Sequence, residues 1–381
     1  MDAYLVSAVR TPIGIGKPEG GALRSFQPVD LAAEVLIEAV RRAGVSPETV
    51  EDVILGCVTP VGDQGGNIAR LATLRAGFPP QIPAVSLNRM CGSGQQAVHF
   101  AAQAILAGDM DLVLAGGVEM MSHQPLGTDY PAEWPTGIPY PLVHQGLSAE
   151  MMAERWHLPR QVLDEFAFES HLRAGHAIDT GRLTSQILPL QAAQPDGQPI
   201  PILYDQGVRR PPDRQKMASL KPVFKPDGVV TAGNSSQISD GAAALLIASD
   251  RAVQAHHLQP LARIAARVVV GSDPALMLDG PIPATSRVLA RAGLRLQDID
   301  LFEVNEAFAC VPLAWLHEHP VDPHRLNPNG GAIAHGHPLG ATGAILMTKL
   351  VYELQRTSGR YGLQTMCIGH GMATATILER L

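Results

Sequence analysis

The sequence contains few charged and aromatic residues, which make up 17% and 4% of its 381 residues, and it contains no long apolar run. Its apolar runs, such as those at residues 112–115 and 242–248, are far shorter than the roughly 20 residues that cross a bilayer. The formal net charge of −7 provides no basic field for nucleic acid. We therefore expect neither a membrane span nor a general nucleic-acid-binding surface.

Cysteine is also scarce. Its four positions, Cys57, Cys91, Cys310 and Cys367, are too few and too scattered to indicate a disulfide framework, so we expect free thiols. The first six residues lack the basic start and the cleavable apolar stretch of a secretory signal, and they resemble a strand of the mature fold. These features favour a cytoplasmic protein.

The length of the chain exceeds what one hydrophobic core usually supports, which predicts two or three structural units. Short apolar runs at residues 4–9, 53–55 and 112–115 have the character of strands. They alternate with helix-like segments at 29–43 and 93–107, each followed by a glycine that can end a helix. Strands separated by helices predict a layered α/β architecture.

The later part of the chain repeats landmarks of the earlier part. R-A-G-V-S-P-E-T-V-E-D-V-I-L begins at Arg42, and R-A-G-L-R-L-Q-D-I-D-L-F begins at Arg291. Cys91 and His337 then each precede a predicted helix, and a glycine-containing strand end follows both helices. Short matches of this kind also arise by chance, but three landmarks in register favour a duplication. Two duplicated halves could bring the turns at Cys91 and His337 together across one cleft.

Cys91 lies in S-L-N-R-M-C-G-S-G-Q-Q-A, between an apparent strand and a helix. Gly92 and Gly94 permit a sharp turn there, and the exposed N–H groups and dipole of a helix amino terminus favour a thiolate. We expect this setting to lower the pKa of the thiol and to make Cys91 a nucleophile. A lone cysteine is more often a buried structural residue, but the flanking glycines favour the functional interpretation.

Glycine-rich segments surround two further candidates. Cys367 ends an apolar run just before Gly369, where free N–H groups could face an oxyanion. Residues 327–344 hold His335 and His337 before a helix, a pattern that can bind an anion. The segment lacks the P-loop and G-x-G-x-x-G patterns, and it contains no Cys, Asp or Glu to complete a metal site. We interpret His337 as a base that acts on a thiol.

Two features leave alternatives open. Asn305 follows the predicted strand at 301–304, where it could cap a helix, position a water or donate to an oxyanion. Residues 208–226 carry six basic side chains and one acidic side chain, Asp213. This composition fits either a solvated loop or a binding site for the phosphorylated part of a cofactor. The basic residues are Arg209, Arg210, Arg214, Lys216, Lys221 and Lys225.

The sequence resembles the thiolases over nearly its whole length. Five motifs carry the resemblance: N-R-M-C-G-S-G at 88–94, V-T-A-G-N-S-S-Q-I-S-D-G-A-A-A at 230–244, N-E-A-F-A at 305–309, G-H-P-L-G-A-T-G-A at 336–344 and C-I-G-H-G-M at 367–372. The resemblance implies an α/β fold in which duplicated βαβαβαββ halves form a five-layer α-β-α-β-α core with an inserted loop domain. The halves would comprise residues 1–119 with 237–262 and residues 263–381, and residues 120–236 would cover the site and bind coenzyme A.

The resemblance also implies the chemistry, which is reversible Claisen condensation and thiolytic cleavage of 3-ketoacyl-CoA. Cys91 would be the acylated nucleophile, His337 the group that activates it and Cys367 the second acid and base. One oxyanion hole would use His337 with a water held by Asn305. The other would use the backbone N–H groups of Cys91 and Gly369.

The same resemblance assigns binding residues. Coenzyme A and acyl-CoA would be substrates, with no metal or other cofactor, and the protein would be a homodimer or homotetramer. The residues assigned to coenzyme A are Arg209, Phe224, Ala232 and Ser236, with His144 nearby, and those assigned to the acyl pocket are Met277 and Phe308.

Three residues depart from the family pattern. Gln145 stands where thiolases commonly carry Met, His370 replaces a usual Gly, and His335 replaces a small or apolar residue. Two alternatives to a thiolase share some of these features. A condensing enzyme of the ketoacyl synthase kind would generally lack the second cysteine, Cys367. A catalytically inactive subunit that binds CoA thioesters would not require the intact set of Cys91, His337 and Cys367.

Overall fold

A computed structural model describes residues 2–192 and 198–381. Residue 1 of the predicted first strand and residues 193–197 of the predicted loop domain lie outside the described residues. The described strands are β1 (Ala3–Arg10), β2 (Gly14–Ile15), β3 (Asp52–Gly56), β4 (Ala84–Leu87), β5 (Leu112–Met120), β6 (Leu190–Ala192), β7 (Ile200–Ile202), β8 (Ser239–Ser249), β9 (Ala262–Gly271), β10 (Leu301–Val304), β11 (Tyr361–Ile368) and β12 (Met372–Arg380). The described α-helices are α1 (Pro28–Ala43), α2 (Ile68–Arg75), α3 (Ser93–Ala107), α4 (Gln145–Arg155), α5 (Arg160–Asp179), α6 (Arg214–Ala218), α7 (Asp250–Ala255), α8 (Pro281–Ala292), α9 (Cys310–Glu318), α10 (Ala332–His335) and α11 (Leu339–Thr357).

The repeated R-A-G letters mark equivalent helix ends. Helix α1 begins at Pro28 and ends before Gly44, whose φ is 70°. Helix α8 begins at Pro281 and ends before Gly293, whose φ is 67°. Proline suits the first helical position because its missing N–H is not needed there, and glycine adopts the left-handed conformation without a steric penalty. The repeated R-A-G letters therefore mark the carboxyl ends of two equivalent helices, one in each half.

The main sheet repeats one strand pattern. Its order is β4-β3-β5-β8-β1-β9-β12-β11-β10, with β2 beside β8. In the first run, β4, β3 and β5 are parallel, and β8 and β1 follow as antiparallel strands. In the second run, β10 and β11 are parallel, and β12 and β9 follow as antiparallel strands. A single bridge between Phe302 and Leu326 stands where a strand equivalent to β4 would lie.

Helices separate and cover the two runs of strands. The central helices α3 and α11 contact each other and share one apolar cluster. Helix α11 contacts strands of both runs, and α3 packs on the first run and reaches the second through hydrogen bonds of Gln95 and His99 to Thr376 of β12. Helices α1 and α2 pack against the first run of strands and share a second apolar cluster with it. Helices α8 and α9 pack against the second run of strands and share a third apolar cluster with it. This arrangement confirms the predicted α-β-α-β-α core.

Glycines bring the amino ends of the two central helices together. A Cβ on Gly117 would overlap the carbonyl oxygen of Gly340, and a Cβ on Gly94 would crowd the same oxygen. Only residues without a side chain permit this approach of α3, β5 and α11. Because Cys91 and His337 lie just before α3 and α11, the approach brings both turns into one region of the protein.

The segment between β5 and β8 packs mainly on the second run. Its helices α4 and α5 contact α9 and α10, and residues of α4 and α5 belong to the apolar cluster of the second run. The short strands β6 and β7 form a separate two-stranded sheet. Across residues 2–192 and 198–381, no helix has both the length and the apolar character that a bilayer crossing needs.

A buried ion pair joins this inserted segment to β1 and to the glycine-rich segment. The Arg10 guanidinium donates two hydrogen bonds, of 2.7 and 3.0 Å, to the Asp205 carboxylate, and both side chains are fully buried. The His335 Nδ1 lies 2.7 Å from Asp205, and its Nε2 lies 2.7 Å from the carbonyl oxygen of Asn329. Burial would raise the pKa of Asp205, but Arg10 and His335 hold it below its ordinary value. His335 therefore fastens the segment that carries His337.

We predict that Asp205→Asn destabilises the protein by about 3–5 kcal/mol, because it leaves the buried Arg10 charge uncompensated. The free energy of unfolding should be measured in urea at one fixed protein concentration. The exposed pair of Asp30 with Arg75 supplies the control, and Asp30→Asn should change the free energy of unfolding by less than about 1 kcal/mol. Equal effects of the two substitutions would contradict the prediction.

Candidate active site

Cys91 lies between β4 and α3 and is only 5% exposed. The donors that face its sulfur are its own backbone N–H, the backbone N–H of Gly369 and the side-chain amide of Gln145. Two backbone N–H groups that converge near one reactive atom form the geometry of an oxyanion hole. The structure thus brings together Cys91 and Gly369, which lie far apart in the sequence.

The expectation that the turn lowers the pKa of Cys91 is wrong. Burial raises the pKa of the thiol to about 11, although the N–H donors oppose this shift, and the negative charge of Glu119 adds to it. Removing an anion from water outweighs the favourable donors and the helix dipole at this position. At neutral pH, Cys91 is therefore a thiol that needs a base.

Cys367 is the second sulfur of the site. It lies near the end of β11 and is fully buried. Burial raises the pKa of this thiol well above its ordinary value, and electrostatic interaction with Cys91 and then with Cys310 raises it further. The Asn305 side chain is within hydrogen-bonding reach of the Cys367 sulfur. The sulfurs of Cys91 and Cys367 are therefore close enough to influence each other's ionisation.

Hydrogen bonds assign the tautomer of His337. The Thr342 hydroxyl donates its only proton to the carbonyl oxygen of Pro338 at 2.8 Å. It must therefore accept from the His337 Nδ1–H, which lies 2.7 Å away. The Nε2 then carries the lone pair and accepts a hydrogen bond from the Asn305 Nδ2, 3.4 Å away. Burial lowers the pKa of His337 to about 4, so the imidazole is a neutral base at neutral pH.

The N-E-A-F-A motif at 305–309 holds Asn305 and the segment before His337 in place. The Asn305 N–H donates to the carbonyl oxygen of Thr365 on the neighbouring strand β11, which fixes Asn305 beside Cys367. The Glu306 carboxylate is buried and accepts from the Asn327 side chain at 2.9 Å and from the Ile333 N–H at 3.2 Å. Glu306 therefore holds the glycine-rich segment that leads to His337.

Glu119 is a site residue that the sequence analysis missed. Its buried carboxylate accepts hydrogen bonds from Val58, Thr59 and Gln64 at 2.8–3.1 Å, and from the Gly340 N–H at 2.8 Å. Gly340 lies in the first turn of α11, where an acidic group satisfies N–H donors that lack partners within the helix. An acidic residue within the apolar strand β5 was the available signal. Glu119 fixes the helix that follows His337.

The residues assigned to coenzyme A lie partly in one row. The ring centroids of His144 and Phe224 are 5.3 Å apart, and those of Phe224 and Phe308 are 6.1 Å apart. The Ser236 N–H donates to the carbonyl oxygen of Ala307, beside Phe308. This row leads from the surface to the buried N-E-A-F-A motif.

The other assigned residues lie at the surface and in the core. Arg209 and Ala232 are exposed, and the Arg209 side chain has no hydrogen-bond or ion-pair partner among the described residues. Met277 and Phe308 are buried in the apolar cluster that contains Cys367. Within the same described ranges, no three or more His, Cys, Asp or Glu side chains are grouped as a metal site would require.

Comparison with known proteins agrees with this geometry. Residues 3–251 match the family model described as thiolase, N-terminal domain, and residues 258–380 match thiolase, C-terminal domain. A steroid 3-ketoacyl-CoA thiolase of Mycobacterium tuberculosis is 45% identical over 100% of this chain and 94% of its own length. An Escherichia coli 3-oxoadipyl-CoA/3-oxo-5,6-dehydrosuberyl-CoA thiolase is 44% identical over 100% of both chains.

A solved structure shares the fold over the whole chain. The crystal structure of human mitochondrial 3-ketoacyl-CoA thiolase superposes with a TM-score of 0.92 at 37% identity, and the match covers 100% of this chain and 99% of that one. Both family models, the sequence relatives and the fold therefore agree, and the chain belongs to the thiolase family.

Proposed function

We propose that this protein cleaves 3-ketoacyl-CoA with coenzyme A to acetyl-CoA and a shortened acyl-CoA, and that it also catalyses the reverse condensation. The observation that carries the proposal is the meeting of Cys91, Cys367, Asn305 and His337 in one buried site. The relatives that are 42–45% identical over nearly the whole chain bear the names of 3-ketoacyl-CoA thiolases and supply further support.

In the first half-reaction, His337 Nε2 takes the proton of Cys91 as its sulfur attacks the 3-keto carbon. The oxygen becomes an anion that the N–H groups of Cys91 and Gly369 can stabilise. The bond between C2 and C3 then breaks, and its electron pair moves to C2 as an acetyl-CoA enolate. Cys367 gives its proton to C2, acetyl-CoA leaves, and the shortened acyl group stays on Cys91.

The enolate needs a second set of donors. After His337 has accepted the proton, its Nε2–H can donate to the enolate oxygen, and Asn305, 3.4 Å from that nitrogen, can hold a water for the same oxygen. The buried Oδ1 of Asn305 has no partner among the described residues and could accept a hydrogen bond from such a water. Asn305 therefore suits a role at this oxyanion.

In the second half-reaction, coenzyme A gives its thiol proton to the Cys367 thiolate and attacks the acyl group. Cys91 leaves as a thiolate and takes back the proton that His337 holds. Both half-reactions then balance, and the reaction draws on side chains and coenzyme A without a metal or redox cofactor.

For coenzyme A, the exposed Arg209 supports contact with a phosphate, and the row formed by His144, Phe224 and Phe308 supports a path for the pantetheine arm. Ala232 and Ser236 would line this path, and Met277 with Phe308 would face the acyl group. We favour an acetyl-CoA C-acyltransferase over an acetyl-CoA C-acetyltransferase. Gln145, whose amide faces Cys91, supports this choice because it replaces the Met common in thiolases.

A homodimer or homotetramer is also proposed. Large apolar side chains remain exposed on α2, β4 and α3, and an exposed apolar surface of this kind favours association. They are Leu71, Leu74, Val85, Phe100 and Leu106. The cytoplasmic location stays a prediction.

The roles of the two cysteines can be separated by intact-protein mass spectrometry after incubation with acetyl-CoA. We expect no acetyl adduct in Cys91→Ala. Cys367→Ala should still form the adduct, since coenzyme A can leave as a thiolate, but it should lose cleavage of 3-ketoacyl-CoA, since the carbon leaving group needs a proton. Cys57→Ala is the control, because the Cys57 side chain packs in a different apolar cluster from Cys91 and Cys367, and it should behave as the unmodified protein. Unchanged labelling of Cys91→Ala would refute the assignment.

The raised pKa of Cys91 predicts how alkylation depends on pH. With a pKa near 11, the thiolate fraction rises with pH, roughly tenfold per unit, throughout the neutral range. The rate of Cys91 alkylation by iodoacetamide should therefore rise continuously between about pH 7 and pH 9. Cys91→Ala provides the background from other thiols. A plateau below about pH 8 would indicate a preformed thiolate–imidazolium pair and would contradict this account.

A further inference from the structure

His370 stands beside the oxyanion donor Gly369, at a position where the family resemblance leads one to expect glycine. Its φ is 62°, in the left-handed region where residues other than Gly are uncommon and where Asn, Asp and His are the most frequent of them. Its Nδ1 is buried and has no hydrogen-bond partner among the described residues. An unpaired buried nitrogen costs free energy, and it points to a partner that the described residues do not supply.

Two aromatic residues connect His370 back to Cys91. The Trp134 ring meets the His370 imidazole edge to face, with centroids 5.5 Å apart, and the Tyr130 ring lies 5.4 Å from that of Trp134. The pKa of Tyr130 is raised by burial, then by Asp129 and Cys91, so Tyr130 lies within electrostatic reach of the reactive sulfur. Tyr130, Trp134 and His370 therefore form an aromatic cluster, and His370 is the chain neighbour of Gly369, whose N–H faces the Cys91 sulfur.

The cluster of Tyr130, Trp134 and His370 shares no residue with the row assigned to coenzyme A. Tyr130 and Trp134 are each nearly half exposed, at 44% and 45%, so the cluster extends from the buried His370 nitrogen to the surface. Aromatic faces at such an opening suit the body of an extended or cyclic acyl group. The small acetyl group on Cys91 would not extend as far as Trp134.

We propose that Tyr130, Trp134 and His370 bind the acyl group of the substrate, and that His370 Nδ1 pairs with an oxygen carried by that group beyond its 3-keto carbon. The inference rests on the proposed function and names its substrate class. A ligand oxygen gives the buried nitrogen the partner that it lacks, whereas an acyl group without that oxygen leaves it unpaired. His370 is thus a specificity-determining residue.

The charge near the aromatic cluster favours an uncharged oxygen on the acyl group. Asp129 is next to Tyr130 in the chain, and one of its carboxylate oxygens is buried without a partner among the described residues. Its negative charge acts on the Tyr130 hydroxyl. An acyl carboxylate would meet this charge, whereas a ketone or hydroxyl would not. The preferred substrate is therefore a 3-ketoacyl-CoA with a further ketone or hydroxyl on its acyl chain.

Thiolysis of three CoA thioesters of equal acyl length tests this inference: 3-oxooctanoyl-CoA, 3,7-dioxooctanoyl-CoA and 3-oxosuberyl-CoA. We expect kcat/KM to be highest for the dioxo substrate and lowest for the carboxylate. His370→Gly should reduce the preference for the dioxo substrate over 3-oxooctanoyl-CoA by on the order of tenfold. His370→Asn should retain most of it, because Asn tolerates positive φ and can form a hydrogen bond.

Tyr140→Ala is the matched control, since Tyr140 is an exposed aromatic residue of the same segment that makes none of the ring contacts among the described residues. It should leave the preference unchanged. Glycine adopts the left-handed conformation without strain, so His370→Gly is expected to fold, and thermal unfolding checks this. An equal preference in the unmodified protein and in His370→Gly would overturn the inference, as would a preference for the carboxylate. Failure of the unmodified protein to cleave any of the three would instead refute the proposed function.

Discussion

The close approach of α3, β5 and α11 is the constraint on which the rest of the site depends. Two of these elements begin just after Cys91 and His337, and glycines at positions 94, 117 and 340 let their backbones meet without side chains between them. Both helices direct their positive amino ends toward one region. Glu119 secures the contact by accepting from Gly340 in the first turn of α11 and from the loop after β3. Any side chain at these glycines would separate the turn of Cys91 from the turn of His337.

Burial determines the resting state of the site. It raises the pKa of Cys91 and lowers that of His337, so thiol and imidazole are both neutral until a substrate arrives. In the proposed mechanism, the proton moves from Cys91 to His337 as the carbon–sulfur bond forms, and fixed donors stabilise the new charge on oxygen. Positioning the base correctly is therefore essential. Thr342 fixes its tautomer, and the buried groups of Glu306 and His335 hold the segment before it.

Much of the fold could be predicted from the sequence because local signals end its helices. The helices predicted at 29–43 and 93–107 match Pro28–Ala43 and Ser93–Ala107, since proline and glycine act within one turn. The strand predicted at 112–115 continues to Met120, because pairing with β3 and β8, rather than local pattern, sets its length. The pKa of Cys91 was predicted in the wrong direction, because burial depends on residues distant in the chain. The local sequence predicts Cys91 as a nucleophile and His337 as a base, whereas the roles of Asn305 and the binding residues come from the family resemblance, and all of these roles stay predictions. The proline-rich segment around Trp134 offers no periodic pattern that would place it beside His370.

A crystal structure of the acetylated protein with coenzyme A bound would test the central claim most directly. The account predicts the acetyl group on the Cys91 sulfur, its carbonyl oxygen within hydrogen-bonding distance of the N–H groups of Cys91 and Gly369, and the Cys367 sulfur against its methyl group. An acetyl oxygen turned away from both N–H groups, or a Cys367 sulfur outside the cavity that holds the acetyl group, would contradict it.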